Sequence, residues 1–349
     1  MPTPLDLTQM PQTDPLEIYR YRDGLYAVDL LTAALHEWDF FTWLEAHPAS
    51  KADICAGLGI TERPTDVMLT LFTADGFLTS DPQGIFRLTP RAREHLVSTS
   101  PFFIGPYFGS LRERPVVLDF IKILRTGRPA NWGSYQHQKE WSEAMLTEEF
   151  ATSFTAAMDC RGVYLGAALA RSLDATGRRR LLDIAGGSGV YACAMVARHP
   201  HLSATVFERP PVDRIVRTMT RKRGYGDKVE VAAGDMFKDP LPRGYDLHLY
   251  SNVLHDWDVE KVRPLLAASF AALEPGGMLL VHDAHLNAAK TGPLPVAKYS
   301  ALLMAITEGK CYSTSEMEAL LTEAGFETVT YSPTVADRSV ITACKPRTA

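Results

Sequence analysis

The sequence predicts an α/β fold: a doubly wound, mostly parallel sheet with an antiparallel terminal strand, preceded by an α-helical winged-helix domain. Three observations carry this. From Arg180 onward, short apolar runs alternate with helical stretches, and such alternation means parallel strands joined by crossover helices. The first run, Arg180-Leu-Leu-Asp-Ile184, leads into Ala-Gly-Gly-Ser-Gly189, where glycines let the backbone approach a ligand. The first hundred residues read as helix, turn, helix and hairpin.

Residues 1–15, rich in Pro and Thr, predict a flexible arm. Residues 16–98 predict the winged-helix domain. Apolar residues recur at helical spacing over 25–35, and 38–44 continue the pattern after a break. Ser50 can cap a helix over 51–56. Gly57-Leu-Gly59 makes a turn, and Pro64 stands near the first turn of a helix over 65–73. Asp75-Gly76 ends that helix. Phe77-Leu-Thr79 and Ile85-Phe-Arg-Leu-Thr89 flank a turn at Asp81-Pro-Gln-Gly84.

A winged helix invites a DNA reading, and charge argues against it. Residues 1–100 hold 7 Lys/Arg against 14 Asp/Glu, a local net charge of −7. Phosphate contacts need a basic face, and the helix over 65–73 has no Lys or Arg. The expectation is therefore no nucleic-acid partner, with the apolar helices pairing against a second subunit. Residues 99–175 predict a helical connector that contributes to a substrate pocket. It is rich in aromatics: Phe102, Phe103, Tyr107, Phe108, Trp132, Tyr135 and Trp141.

Residues 176–349 predict the cofactor-binding domain. The first helix, 191–198, ends at His199-Pro200. A strand over 204–208, a helix over 212–223 and strands over 229–233 and 245–250 follow. A helix over 259–273 is stopped by Pro275-Gly-Gly277, and the fifth strand is 278–282. A helix over 315–324 and strands over 326–331 and 339–345 close the chain.

Ligands of open α/β sheets bind at the carboxyl ends of the strands. Asp183, Glu208 and Asp235 sit at or beside such ends. Glu208 is placed to accept from both hydroxyls of a ribose. Asp235 can accept from an exocyclic amine, with Met236 against a flat adenine. Gly187-Ser-Gly-Val-Tyr-Ala192 also fits the dinucleotide fingerprint, with an acid about 20 residues on. Against that reading, Asp183 would face a pyrophosphate but suits a cationic methionine moiety. The balance favours S-adenosylmethionine.

Composition limits the remaining classes. The chain has 349 residues, 46% hydrophobic and 22% charged, enough for two domains of an ordinary globular protein. No apolar run nears ~18 residues, the length a membrane span needs, and the N-terminus lacks a secretory pattern. Five scattered cysteines read as reduced thiols of a cytoplasmic protein. A net charge of −5 gives no reason to expect a polyanionic partner.

On Asp183-Ile-Ala-Gly-Gly-Ser-Gly189, Phe207-Glu-Arg-Pro210, Gly234-Asp-Met-Phe237, Asn252-Val-Leu-His-Asp-Trp-Asp258 and Leu273-Glu-Pro-Gly-Gly277, the chain resembles the class I methyltransferases. Within them it is similar to the caffeate/acetylserotonin type of O-methyltransferase. The resemblance implies an S-adenosyl-L-methionine cofactor, a small hydroxyl-bearing, aromatic acceptor, and a homodimer formed through the winged-helix domain. It implies that Asp183, Gly186, Gly187 and Gly189 line the cofactor loop. Glu208 then binds the ribose, Asp235 and Met236 hold the adenine, and Ser251 and Asn252 lie beside the cofactor. Arg161 would reach its carboxylate.

His255 stands five residues past Tyr250, on the ligand side. A phenol with pKa ~10 is a poor nucleophile at neutral pH, and a neutral imidazole can take its proton. The resemblance places the general base at this His, oriented by Asp283 after the fifth strand. A second orienting acid is implied in a Gly-Lys-Glu motif; here the segment reads Gly309-Lys-Cys-Tyr312, with Cys311 in its place and Glu308 two residues before the lysine. Trp257 and Asp258 are read as bracing the following helix. Phe154, Met158, Trp257 and Met304 are candidates for contacting the acceptor. His282, Asp283 and His285 raise a metal reading, but strand alternation turns the two histidines to different sides, so no metal is expected. The open alternatives are carbon or nitrogen methylation on the same fold and a noncatalytic or regulatory protein that binds the cofactor.

Overall fold

Local signals end elements where their chemistry requires in the computed structural model, which describes residues 6–129 and 141–347. Trp132, Tyr135 and residues 1–5 of the arm lie outside that range. Packing divides the chain into two units. One comprises Ile18–Trp141 and Leu286–Ser313; the other comprises the segment up to Glu17, Ser142–His285 and the chain from Thr314 on.

In the first unit, Ser50 caps the helix Lys51–Leu58 by accepting the Asp53 N–H at 3.2 Å. The next helix spans Glu62–Ala74. Strands β1 (Ala49–Ser50), β2 (Leu78–Ser80) and β3 (Ile85–Leu88) form an antiparallel sheet in the order β1-β3-β2. In the wing turn, Asp81 Oδ1 accepts from the Gln83 and Ile85 N–H groups, each at 3.0 Å. Phe40, Phe41 and Phe72 fill the core behind it.

The sequence reading ran its last domain unbroken from 176 to 349. Packing instead assigns Leu286–Ser313 to the winged-helix unit. The reason is the helix Leu294–Ile306, which is apolar on nearly every side and needs neighbours all round. Helices Glu62–Ala74, Ala27–Glu37 and Pro115–Thr126 supply them. Asp66 adds a polar tie, accepting from Lys290 at 2.9 Å and Lys310 at 2.6 Å. Burial opposes its charge, but the lysines hold its carboxyl well below the usual range.

The second unit holds a seven-stranded sheet: β4 (Arg180–Ile184), β5 (Ser203–Glu208), β6 (Val229–Ala233), β7 (Tyr245–Ser251), β8 (Leu273–Asp283), β9 (Glu327–Pro333) and β10 (Ser339–Cys344). Their order is β6-β5-β4-β7-β8-β10-β9. β4 to β8 are parallel, and β10 runs antiparallel to both β8 and β9. The predicted α/β fold is thus present, with its antiparallel closing pair. Chain order reverses between β4 and β7, which makes their carboxyl ends the ligand crevice.

One local expectation is corrected. Pro275-Gly-Gly277 does not separate helix from strand: β8 begins at Leu273, and the triplet forms a bulge in it, where the β7 register jumps from Leu273 to Met278. Pro275 has no N–H for the ladder and Gly276 takes φ +75°, so the segment bulges rather than turns. The described part of the arm has contacts in this unit. Leu7 is buried, and Arg171 Nη2 donates to the Thr8 carbonyl at 2.6 Å. The connector also resolves into long helices; Glu148–Ser172 packs on the helix Val190–Arg198 in this unit. Among the described residues, no helix is long and apolar enough to cross a membrane.

Candidate active site

The loop after β4 folds back on its own carboxylate. A Cβ on Gly186 would lie 2.5 Å from the Asp183 carboxyl, so no larger residue fits there. Gly189 takes φ +72° and lets the following helix close on Val216 and Thr220. Asp183 is fully buried, and neither of its oxygens has a hydrogen bond of good geometry. Burial pushes its pKa up to about 7; the nearby Ala192 N–H opposes this and Glu208 adds to it. Left ionised, such a buried carboxylate is costly, and a cationic group beside it would relieve that cost.

Glu208, at the end of β5, is tied to the same loop. Its Oε2 accepts the Gly187 N–H at 3.1 Å and its Oε1 accepts the Arg209 N–H at 2.9 Å. Burial nonetheless raises it to about 7. Asp235 differs. Burial works against its charge, but the Phe237 N–H at 3.0 Å and Lys238 at 3.1 Å keep it below the usual carboxylate range. Met236 beside it is half-buried. Trp257 packs here as well, edge-on to Phe237 with centroids 4.7 Å apart and under the Lys261 ammonium. Read from sequence as an acceptor contact, Trp257 thus stands at the Asp235 end.

Past β7, Ser251 and Asn252 join a buried polar chain. Asn252, just past the end of β7, takes φ +53°. Its Nδ2 donates to Tyr191 Oη at 3.0 Å and to Ser251 Oγ at 3.2 Å. Ser251 Oγ lies 2.9 Å from His282 Nδ1. Residues Leu254–Asp256 then form a short 3-10 turn that carries His255 inward. His255 Nδ1 is hydrogen-bonded to Asp283 Oδ1, and Nε2 lies 3.5 Å from Asp256 Oδ1. Burial lowers the His255 pKa, but Asp283 and Asp256 outweigh it and the net direction is upward. Asp283, opposed by burial but favoured by His255, is held down at about 2. Asp256 is pushed by burial up to about 6.

The structure therefore brings Asp183, Gly186, Gly187, Gly189, Glu208, Ser251, Asn252, His255 and Asp283 to one edge of one sheet. Arg161, on the helix Glu148–Ser172, acts electrostatically on His255, Asp256, Tyr191 and His282. Phe154 and Met158 lie one turn apart on that helix, both half-buried, with Phe154 stacked on Phe150. Met304 is not part of this unit; it is fully buried on the helix Leu294–Ile306. Cys311 also belongs to the other unit, buried, with its N–H donating to Ser300 Oγ at 3.0 Å. Asp258 caps the helix Val259–Ala272, as expected. His282 and His285 take separate partners, Ser251 and Thr334 for the first and Ser339 for the second. Among the described residues, no group of three His, Cys, Asp or Glu is arranged to hold a metal.

Sequence reasoning missed Asp256 and Tyr191. Asp256 adjoins His255, and neighbours on a strand point apart; only the 3-10 turn lets both face one place. Tyr191 was legible only as a filler position in the glycine fingerprint.

A family model described as an O-methyltransferase domain matches residues 122–327. The chain is 32% identical over 304 residues to 3-hydroxy-5-methyl-1-naphthoate 3-O-methyltransferase of Streptomyces sahachiroi, covering 86% of each. It is 27% identical to L-tyrosine C(3)-methyltransferase of Streptomyces lavendulae, covering 88% of this chain and 86% of that one. Among solved structures, an O-methyltransferase family 2 protein from Planctomyces limnophilus, in complex with apigenin, is 33% identical with a TM-score of 0.87, covering 98% and 99%.

Proposed function

We propose that this chain, which belongs to the family of S-adenosylmethionine-dependent O-methyltransferases, methylates a hydroxyl of a small aromatic metabolite with His255 as general base. The observation that carries the reading is the buried His255–Asp283 pair at the carboxyl edge of the sheet. The naphthoate methyltransferase relative and the apigenin-bound neighbour support an aromatic acceptor.

The bound cofactor supplies an electrophilic methyl group on a sulfonium. Asp183 and the Gly186–Gly189 loop receive its methionine end, Glu208 the ribose, and Asp235 with Met236 and Trp257 the adenine. Ser251 and Asn252 line the cofactor, and Arg161 takes its carboxylate. Phe154 and Met158 are assigned to the acceptor. Asp283 stays ionised and accepts from His255 Nδ1, which leaves Nε2 as the lone pair that takes the hydroxyl proton. Asp256, beside Nε2, stabilises the imidazolium that results.

Labelled-methyl transfer from S-adenosylmethionine to a panel of phenols tests this, and its pH profile tests the base. Only neutral His255 can accept a proton, so the rate rises with pH and levels off above the His255 pKa. That pKa lies above the ordinary 6.5 because Asp283 and Asp256 overcome burial. Asp256→Asn removes one of those charges and moves the inflection to lower pH. A profile flat from pH 5 to 9, or no transfer to any phenol, would count against the assignment.

A second reading is methyl transfer to ring carbon, favoured by the L-tyrosine C(3)-methyltransferase relative. Deprotonating a phenol makes its ortho carbon nucleophilic, so the same base serves, and NMR of the product separates the two. A cytoplasmic, reducing setting fits the five free cysteines.

The homodimer rests on the winged-helix unit. Tyr21 is 90% and Tyr107 85% exposed, and Ile18, Leu25, Phe102, Ile104 and Leu118 are exposed too. So much apolar surface calls for a cover. Light scattering should give twice the chain mass, and Tyr107→Glu with Leu118→Glu should return a monomer. A monomeric wild type would sink the proposal.

A further inference from the structure

The amide of Asn252 is held in one orientation by a chain of partners that the catalytic reading leaves unused. His282 is buried and its pKa is driven down to about 3, so its ring is neutral. Its Nε2 lies 3.2 Å from Thr334 Oγ1 and its Nδ1 lies 2.9 Å from Ser251 Oγ. With Nε2–H donating to Thr334, Nδ1 accepts the Ser251 hydroxyl proton. Ser251 Oγ is then an acceptor toward Asn252, which fixes the amide nitrogen on that side. Tyr191 Oη accepts the second Nδ2 proton at 3.0 Å. Both amide protons are spent, and Asn252 Oδ1 is left buried without a partner. The two oxygens of Asp183 are in the same condition. β4 and β7 are adjacent and parallel, with Asp183 opposite Leu249, so Asp183 and Asn252 stand at neighbouring strand ends. Buried acceptors at these two strand ends, with only the Ala192 N–H near Asp183, suit the N–H donors of an ammonium group.

We propose that Tyr191 is a positioning residue for the cofactor: by holding the Asn252 amide nitrogen, it keeps Oδ1 presented to the α-ammonium group of the methionine moiety. Tyr191 itself is 7% exposed and lies against the His282 ring at 5.7 Å. It acts through Asn252, so its effect vanishes when Asn252 does. The proposal rests on the cofactor site described above.

Calorimetry with S-adenosylhomocysteine on wild type, Tyr191→Phe, Asn252→Ala and the double variant tests it. Tyr191→Phe should weaken binding about fivefold to tenfold, the worth of one net hydrogen bond. The double variant should bind no more weakly than Asn252→Ala alone. Methylthioadenosine, which has the adenosine and sulfur but no amino acid portion, should bind wild type and Tyr191→Phe with the same affinity. Unchanged S-adenosylhomocysteine binding in Tyr191→Phe overturns the proposal. So do multiplicative effects in the double variant, or an equal loss for methylthioadenosine, which would mark a collapsed loop instead. A wild type that binds no S-adenosylhomocysteine overturns the cofactor reading itself, and is distinguishable because no variant then matters.

Discussion

His255→Ala lowers the turnover number at least about a hundredfold, the lower end for loss of a general base, and leaves the S-adenosylhomocysteine Kd within about twofold, since the base touches the acceptor and not the product's methionine end. That split follows from the role proposed for His255. His255 is 3% exposed, and its Nδ1 is committed to Asp283. Its Nε2, 3.5 Å from Asp256 Oδ1, is the nitrogen proposed to take the proton. A phenol of pKa ~10 is almost wholly protonated at pH 7, and with no imidazole its proton must go to water in a closed site. Asp283→Asn probes the same pair from behind. The amide cannot hold a protonated Nδ1 as the carboxylate does, so the neutral ring favours the wrong tautomer and turnover falls by a comparable factor. Single-turnover rates with saturating cofactor measure both variants. Turnover equal to wild type in His255→Ala would reduce the site to one of pure positioning.

Much of this arrangement is legible in the sequence, and for definite reasons. Asp183, Glu208 and Asp235 are ends of strands whose apolar runs have a clear period, so their common edge follows from the topology alone. His255 follows β7 and Asp283 ends β8, strands that are neighbours, and that adjacency brings them together. Three features escaped. Trp257 reads like an acceptor contact because aromatic residues carry no address; its packing on Phe237 depends on how the loop after β6 folds. Asp256 faces the base only through a single 3-10 turn, a conformation with no sequence period. The helix Leu294–Ile306 sits between two stretches of the sheet unit yet packs among helices from the first 130 residues. Its uniform apolarity indicates burial but not beside which partners, because the strand–helix alternation offers it an equally apolar sheet.

Asp183→Asn should trade function for stability. In the folded chain without ligand this carboxyl has its pKa raised from 3.8 to about 7, with burial as the main cause. A raised carboxyl pKa means that the folded state binds more protons than the unfolded state between those two values. Stability therefore falls as pH climbs through that window, and the loss is complete above about pH 7. At about 1.4 kcal/mol for each pH unit of difference, the burden is on the order of 4 kcal/mol. Asn carries no such charge, but its buried amide needs partners and keeps part of the penalty. The expected gain is roughly 2 kcal/mol at pH 8, a few degrees in Tm, shrinking toward nothing near pH 4. Thermal melts of the two proteins across that range measure it. Cofactor binding moves the other way. A cationic methionine moiety lowers the Asp183 pKa, so wild-type affinity for S-adenosylhomocysteine improves as pH rises toward 7. The variant loses that dependence, and its affinity drops by roughly thirtyfold or more, as for one half of a buried charge pair. A variant that is both less stable at pH 8 and unimpaired in binding would mean that Asp183 is a structural carboxylate with an internal partner. Glu208, also raised to about 7 but already accepting two backbone N–H groups, serves as the internal comparison. Glu208→Gln keeps an oxygen for only one of those two N–H donors and turns an NH2 group toward the other, so its stabilisation is smaller although the pKa is the same. The contrast separates a carboxylate kept for a ligand's charge from one that also holds the loop.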